Sequence, residues 1–247
     1  MAPTDRSRSS ADRSTGGARP LRGVVTDVDG TLTDAHRRLD PNALAAVHRL
    51  ERRGIPVTIA TGNVLPVALA LWRFVGATGP IVAENGGLIF RPRGSGGRVE
   101  RCADRGVALR AYRAVRAAGI PAKRLFTDRW RESEVALEPT VSVGAVRAAV
   151  RGIPVTVEST GYALHLMQRG VGKLPSLVRA LRELGLAPAD CVILGDGDND
   201  VAMLRAAGFG VSFPSASPRA RAAARYVTSS DYSAGFEQGL KRSGILA

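Results

Sequence analysis

Six of the 22 acidic residues in this 247-residue chain fall into two short stretches: Asp27, Asp29 and Asp34, then Asp196, Asp198 and Asp200. Each stretch directly follows an apolar run, Val24-Val25 or Val192-Ile193-Leu194. Ligands of open α/β sheets bind beyond the carboxyl ends of adjacent parallel strands. If the two runs are neighbouring strands, four or five carboxylates converge on one point. Such a cluster repels itself unless a hard divalent cation lies within it, and oxygen-only ligation favours Mg²⁺. A calcium loop starting at Asp27 would need an acid or amide where Thr31 stands and Glu where Arg38 stands. One starting at Asp196 would need Gly at Val201 and Glu at Ala207, so calcium loops are excluded. Turn-forming Asp residues explain either cluster alone far better than both together.

Two further elements complete the chemistry. Thr61 follows the run Val57-Thr58-Ile59, so its hydroxyl and the amides of Gly62 and Asn63 can face an anion above the sheet. Lys173 opens a helical pattern, where the positive end of the helix dipole disfavours a cation. An anion held jointly by the lysine and the helix amides removes that conflict. Gly170-Val171-Gly172-Lys173 is not a nucleotide-binding P-loop, because Met167 and Leu174 replace the required Gly and Ser/Thr.

These residues must be held by strands and helices in alternation. Val24-Val25-Thr26 reads as a buried first strand, and Asp40-Pro41 caps a helix to about Arg53. A strand over 56–60, a helix over 64–75 and a strand at Ile81-Val82 continue the rhythm. It breaks near Glu84-Asn85-Gly86-Gly87. A Gly- and Arg-rich link over 91–98 then precedes helices over 107–118 and 143–151, with strand-like pieces near 134–137, 154–157 and 162–167. The alternation returns with a helix over 173–184, a strand over 191–194, a helix over 199–207 and a strand over 209–211. The expected fold is α/β: a doubly wound parallel sheet, over 21–90 and 168–247, split by an inserted α+β cap over 91–167. Residues 1–20 form a basic tail without an apolar core, expected to be disordered rather than a secretory signal.

Composition narrows the partners. The net charge is +13, yet only Lys123, Lys173 and Lys241 are lysines among 35 basic residues. Arginines scattered along helical segments, with 5% aromatics, do not make a nucleic-acid reading module. Electrostatic affinity for anions is expected; specific nucleic-acid recognition is not. No stretch has the ~18 apolar residues of a membrane span. Cys102 and Cys191 make no disulfide framework and suit a reducing cytoplasm.

Taken together, Asp27-Val28-Asp29-Gly30-Thr31, Thr61, Lys173 and Gly195-Asp196-Gly197-Asp198-Asn199-Asp200 resemble the four motifs of the haloacid dehalogenase superfamily, in order. The insertion between the second and third resembles the larger α+β caps (type C2B) of that superfamily. From about Leu21 to Leu240 the chain is also similar to the archaeal-type phosphoglycolate phosphatases, through Gly62 to Val67, Gly79-Pro80, Glu84 to Gly87, Thr127 to Glu132, Gly161-Tyr162, His165 to Met167 and Ser230 to Ser233. The basic N-terminal extension departs from the pattern without touching the motifs.

The resemblance implies a phosphatase acting on a small phosphorylated substrate, 2-phosphoglycolate, in which Asp27 forms an aspartyl-phosphate. Asp29 would protonate the leaving oxygen and then activate water. Mg²⁺ would be held by Asp27, the Asp29 carbonyl, Asp196 and Asp200. Thr61, Gly62, Lys173 and Asn199 would form the phosphate-binding set, with Asn199 orienting the lysine or the metal and Asp198 capping a helix. Arg129, Arg131 and His165 are candidates for a substrate carboxylate. Alternatives are a phosphatase of sugar phosphates or sucrose phosphate, a phosphotransferase or mutase of the same chemistry, and a non-catalytic polyanion binder. A homodimer is an admissible assembly.

Overall fold

A computed structural model describes residues 20–94, 96–160 and 162–246; the expected disordered tail lies outside this range except for its last residue. The elements, numbered in chain order, are β1 (Gly23–Thr26), α1 (Pro41–Arg52), β2 (Val57–Ala60), α2 (Leu65–Phe74), β3 (Ile81–Ala83), β4 (Leu88–Arg93) and β5 (Gly96–Arg101). Then come α3 (Arg105–Ala117), β6 (Val135–Leu137), α4 (Val143–Ala149), β7 (Val155–Ser159) and β8 (Leu164–Gln168). The chain ends with α5 (Lys173–Leu181), β9 (Cys191–Leu194), α6 (Val201–Ala206), β10 (Phe209–Ser212), α7 (Pro218–Ala223), β11 (Tyr226–Val227) and α8 (Tyr232–Ser243).

Eight strands form one sheet in the order β11-β10-β9-β1-β2-β3-β4-β5. The first six of these run parallel. The β-branched run of β1 is buried on both faces, with Val24 in one apolar cluster and Val25 in another. On the Val24 side lie α1, α2, α7 and α8, through residues such as Val47, Ala68, Ala220 and Phe236. On the Val25 side lie α5 and α6, through Leu177, Leu181 and Met203. Helices on both faces of a parallel sheet make the doubly wound α/β core that the alternation predicts. Among the described residues no helix is long and apolar enough to cross a membrane.

The sheet order decides the site. β1 pairs with β2 on one side and β9 on the other, placing Thr26 beside both Ile59 and Leu194. The Asp27 amide continues this pairing by donating to the Leu194 carbonyl at 3.0 Å. The three segments after these strands therefore leave the sheet together, at its topological switch point.

Within the Gly- and Arg-rich stretch 91–98, expected as a link on the cap side, residues 91–93 and 96–98 instead pair in the β4–β5 hairpin at the edge of the large sheet. Leu88 and Ile89 are fully buried, whereas most of β5 is exposed, so no hydrophobic alternation marks the second strand. Beyond Arg101 a second sheet, ordered β6-β8-β7 and antiparallel, packs under α3 and α4. It has its own core, including Val115, Leu137, Val146 and Leu166.

The two units meet at the turn Glu84-Asn85-Gly86, where Glu84 and Asn85 both adopt positive φ, 50° and 53°. Consecutive non-glycine residues in that region carry strain of about 1–3 kcal/mol each. Gly86 follows at φ 98°, and a Cβ there would collide with the Gly172 carbonyl just before α5. Gly86→Ala is therefore expected to cost at least about 2 kcal/mol in urea unfolding, since neither the backbone angle nor the space admits a side chain.

Candidate active site

Lys173 begins α5 without a side-chain cap on that helix. The lysine is 2% exposed. Its Nζ donates to Asp27 Oδ1 and to Asp200 Oδ1, each at 2.6 Å. Burial alone would lower the pKa of this ammonium, but Asp200 and Asp27 outweigh it and hold the proton more tightly than usual. The helix-start lysine that was puzzling in sequence is thus satisfied by two carboxylates.

Asp27, Asp196 and Asp200 each present an oxygen within 4.8 Å of the others. One ammonium does not balance them. Burial raises the Asp27 pKa well above its ordinary value; Lys173 pulls it back, while Asp200, Asp196 and Asp29 add to the rise. Asp196 is pushed up to about 7, first by burial and then by Asp200. Excess negative charge on three converging hard oxygens is the electrostatic profile of a site for a divalent cation.

The loops are built to hold this arrangement. Asp200 Oδ2 accepts the amides of Asp196 at 3.2 Å and Gly197 at 3.0 Å, fixing the loop after β9. Gly30, at φ 80°, lies against Asp196, and a Cβ there would strike the carboxylate. Thr61 is 1% exposed after β2, and its Oγ1 accepts from the Asn63 amide at 3.0 Å and from Asn63 Nδ2 at 3.2 Å. The same Asn63 Nδ2 donates to Asp29 Oδ2 at 2.7 Å. One amide group therefore ties the segment after β1 to the segment after β2. Asp27, Asp29, Gly62, Asn199 and Asp196 line a common cavity of about 300 Å³.

Some expected residues have partners other than those the motif suggested. Asn199 Nδ2 donates to Asn85 Oδ1 at 3.0 Å, rather than to Lys173. Asp198 accepts from Ser217 Oγ at 2.6 Å and Arg219 at 3.0 Å, so it anchors the start of α7. Asp34 accepts the amides of His36 and Arg38 at 2.8 and 2.9 Å; it lines the same cavity but is not one of the three converging acids. Arg129 stacks on Phe126, 4.2 Å from its ring centre, and does not line the cavity. Arg131 and His165 do line it.

The main feature not assigned from sequence is the polar seam behind these groups. Glu84, buried, accepts the amides of Glu132 and Ser133 at 3.0 and 2.9 Å and the Ser133 hydroxyl at 2.5 Å. Burial raises its pKa. Glu134 is also buried, beside Arg131, His165 Nδ1 at 3.0 Å and Asn85 Nδ2 at 3.3 Å. Burial would raise its pKa, but His165 and Arg131 reverse this and hold it below the ordinary value, so the carboxylate stays ionised. Arg131 and His165 were singled out in sequence only as candidates for a substrate carboxylate, and nothing there pointed to Glu134 as the group that joins them.

Comparison with known proteins agrees with this geometry. A family model described as haloacid dehalogenase-like hydrolase matches residues 24–99 and 144–240. A Methanoculleus marisnigri protein named phosphoglycolate phosphatase is 36% identical over 228 residues, covering 90% of this chain and 96% of its own. A Methanothermobacter thermautotrophicus protein of the same name is 37% identical over 222 residues, covering 90% and 98%. Among solved structures, a Thermoplasma acidophilum protein superposes with a TM-score of 0.82 at 25% identity, covering 92% of this chain and all of its own. A sugar phosphatase of subclass IIB superposes with a TM-score of 0.74 at 18% identity, covering 91% and 100%. With most of the chain matched by the family model and by these relatives, and the motif residues gathered at one switch point, the chain belongs to the haloacid dehalogenase-like hydrolases.

Proposed function

We propose that this chain hydrolyses 2-phosphoglycolate to glycolate and phosphate through an aspartyl-phosphate on Asp27. The observation that carries the reading is the buried Lys173 ammonium bridging Asp27 and Asp200 beside Asp196. Relatives named phosphoglycolate phosphatase, 36% and 37% identical over nearly their full length, support the substrate.

Lys173 holds Asp27 through Oδ1 and so leaves Oδ2 to attack phosphorus in line. The ester oxygen departs with a proton from Asp29, whose Oδ2 is held by the Asn63 amide. Asp29 then takes a proton from water as it attacks the aspartyl-phosphate, which returns Asp27 and releases phosphate. Thr61 Oγ1 accepts both of its bonds from Asn63, so its own hydrogen is available to a non-bridging phosphate oxygen. The Gly62 amide and Lys173 would supply further donors. Asp27, the Asp29 carbonyl, Asp196 and Asp200 would hold Mg²⁺, which when bound offsets repulsion between a carboxylate nucleophile and a phosphate dianion. The antiparallel unit beyond β5 would act as the cap, excluding water and choosing the substrate.

A sugar phosphatase is the second reading, favoured by the subclass IIB structural neighbour. The cavity of about 300 Å³, at the small end of the usual range for ligand sites, favours a short ester.

Two experiments test the proposal. Phosphate release should be Mg²⁺-dependent and at least tenfold faster, as kcat/KM, on 2-phosphoglycolate than on glucose phosphates. Asp27→Asn should lower it by about 10³-fold or more, as expected when the nucleophile itself is removed. Comparable rates on both substrates would point to the sugar reading, and a fully active Asp27→Asn would remove the covalent mechanism.

The second experiment reads the metal through stability. Asp196, raised from near 3.8 to about 7, binds its proton more tightly when folded. Its contribution to metal-free stability is therefore complete below about pH 4 and lost as pH rises through about 7. Metal ligation requires the deprotonated acid. The rise in Tm on adding Mg²⁺ should accordingly be larger at pH 8 than at pH 5.5, and Asp196→Asn should flatten the difference.

A further inference from the structure

Arg131 faces the same cavity as Asp27, yet much of its hydrogen-bonding capacity is unused. It is 3% exposed, on the segment that leads into β6. Both of its bonds within the protein come from Nη1: one to the Gly62 carbonyl at 3.0 Å, the other to Glu134. The Nε atom is buried without an acceptor, and Nη2 has none among the described residues. Buried guanidinium groups normally have their donors filled, because desolvating a charge is costly. Glu134 balances the charge of the guanidinium through Nη1 but leaves its other donors unfilled.

Nη2 is the donor left over for a ligand, whereas Nε is sealed from solvent and joins a two-point contact with a carboxylate only if the side chain shifts. Gly62, on which Nη1 rests, is next to Thr61 of the proposed phosphate site. Arg131 and Asp27 line one cavity of about 300 Å³, which suits a short molecule carrying a second charge beside its phosphate.

We propose that Arg131 is the specificity-determining residue, taking the carboxylate of a short phosphorylated acid on its unfilled guanidinium donors, Nη2 first. Glu134 is then a positioning residue, with His165 and Asn85 fixing it behind the guanidinium. Asn199, through Asn85, joins this network to the loop after β9. The assignment rests on the phosphomonoesterase reading.

The test compares 2-phosphoglycolate with 2-hydroxyethyl phosphate, in which a neutral CH₂OH replaces the carboxylate. Wild type should favour the acid by about 30-fold or more in kcat/KM, the scale of a charge-assisted contact. In Arg131→Met this preference should fall by about 10- to 100-fold, mainly through KM for the acid. A purely structural role would slow both esters alike and leave the ratio intact. Should Arg131→Met not fold, Arg131→Lys retains the charge beside Glu134 but loses the fork, and its preference should fall by about tenfold. A wild type indifferent to the carboxylate, or an unchanged preference in the folded variants, would overturn the assignment while leaving the phosphatase reading intact. Release from neither ester by wild type would overturn both.

Discussion

The ammonium of Lys173, donating at 2.6 Å to both Asp27 and Asp200, is the constraint around which the molecule is organised. Removing one partner of such a buried pair typically costs about 3–5 kcal/mol, because an uncompensated charge is left behind. Three chain segments must therefore arrive together. β1 and β9 deliver the two acidic loops side by side, and α5 brings the lysine from the far end of the insertion. One positive charge among three carboxylates still leaves an electrostatic deficit, which makes the site receptive to a cation and then to a phosphate dianion.

Around this centre, polar contacts rather than apolar packing join the two units. Each sheet has separate apolar clusters, and the seam between them is made by Glu84, Asn85, Arg131, Glu134 and His165. Buried polar networks are costly when incompletely satisfied but specify a single arrangement. Here the seam fixes how the smaller unit sits over Thr61 and Gly62. The strained φ angles of Glu84 and Asn85 fit the same account, since strain persists where surrounding contacts over-determine the backbone.

The core was readable because its signals are local. Val24-Val25-Thr26 followed by Asp27 marks a buried strand ending in an acidic loop, and the same pattern recurs at 192–196. Lys173 was legible as an anomaly of charge at a helix start. The hairpin at 91–101 was not, because Gly96 and Gly97 dilute the strand pattern and the edge strand exposes most of its side chains. The elements after Ser212 also lacked a clear signal: α7 and β11 are short, and two glycines interrupt α8. Asn199 shows a different limit. Its position in the motif was evident, but its bond to Asn85 spans 114 residues and depends on the register of the whole sheet.

The insertion also bears on how the cavity is built. Its chain crosses out of the large sheet over residues 102–104 and returns over 169–172, directly into Lys173. The returning crossing is four residues long and holds Gly170 at φ 87°, whereas Ser176 pins α5 to the Gly86 carbonyl at 2.6 Å. The lysine is thus placed by the large sheet rather than by the insertion that precedes it in the chain. The charge at the bottom of the cavity and the lining above it are set by different parts of the fold, although only four residues separate them in sequence.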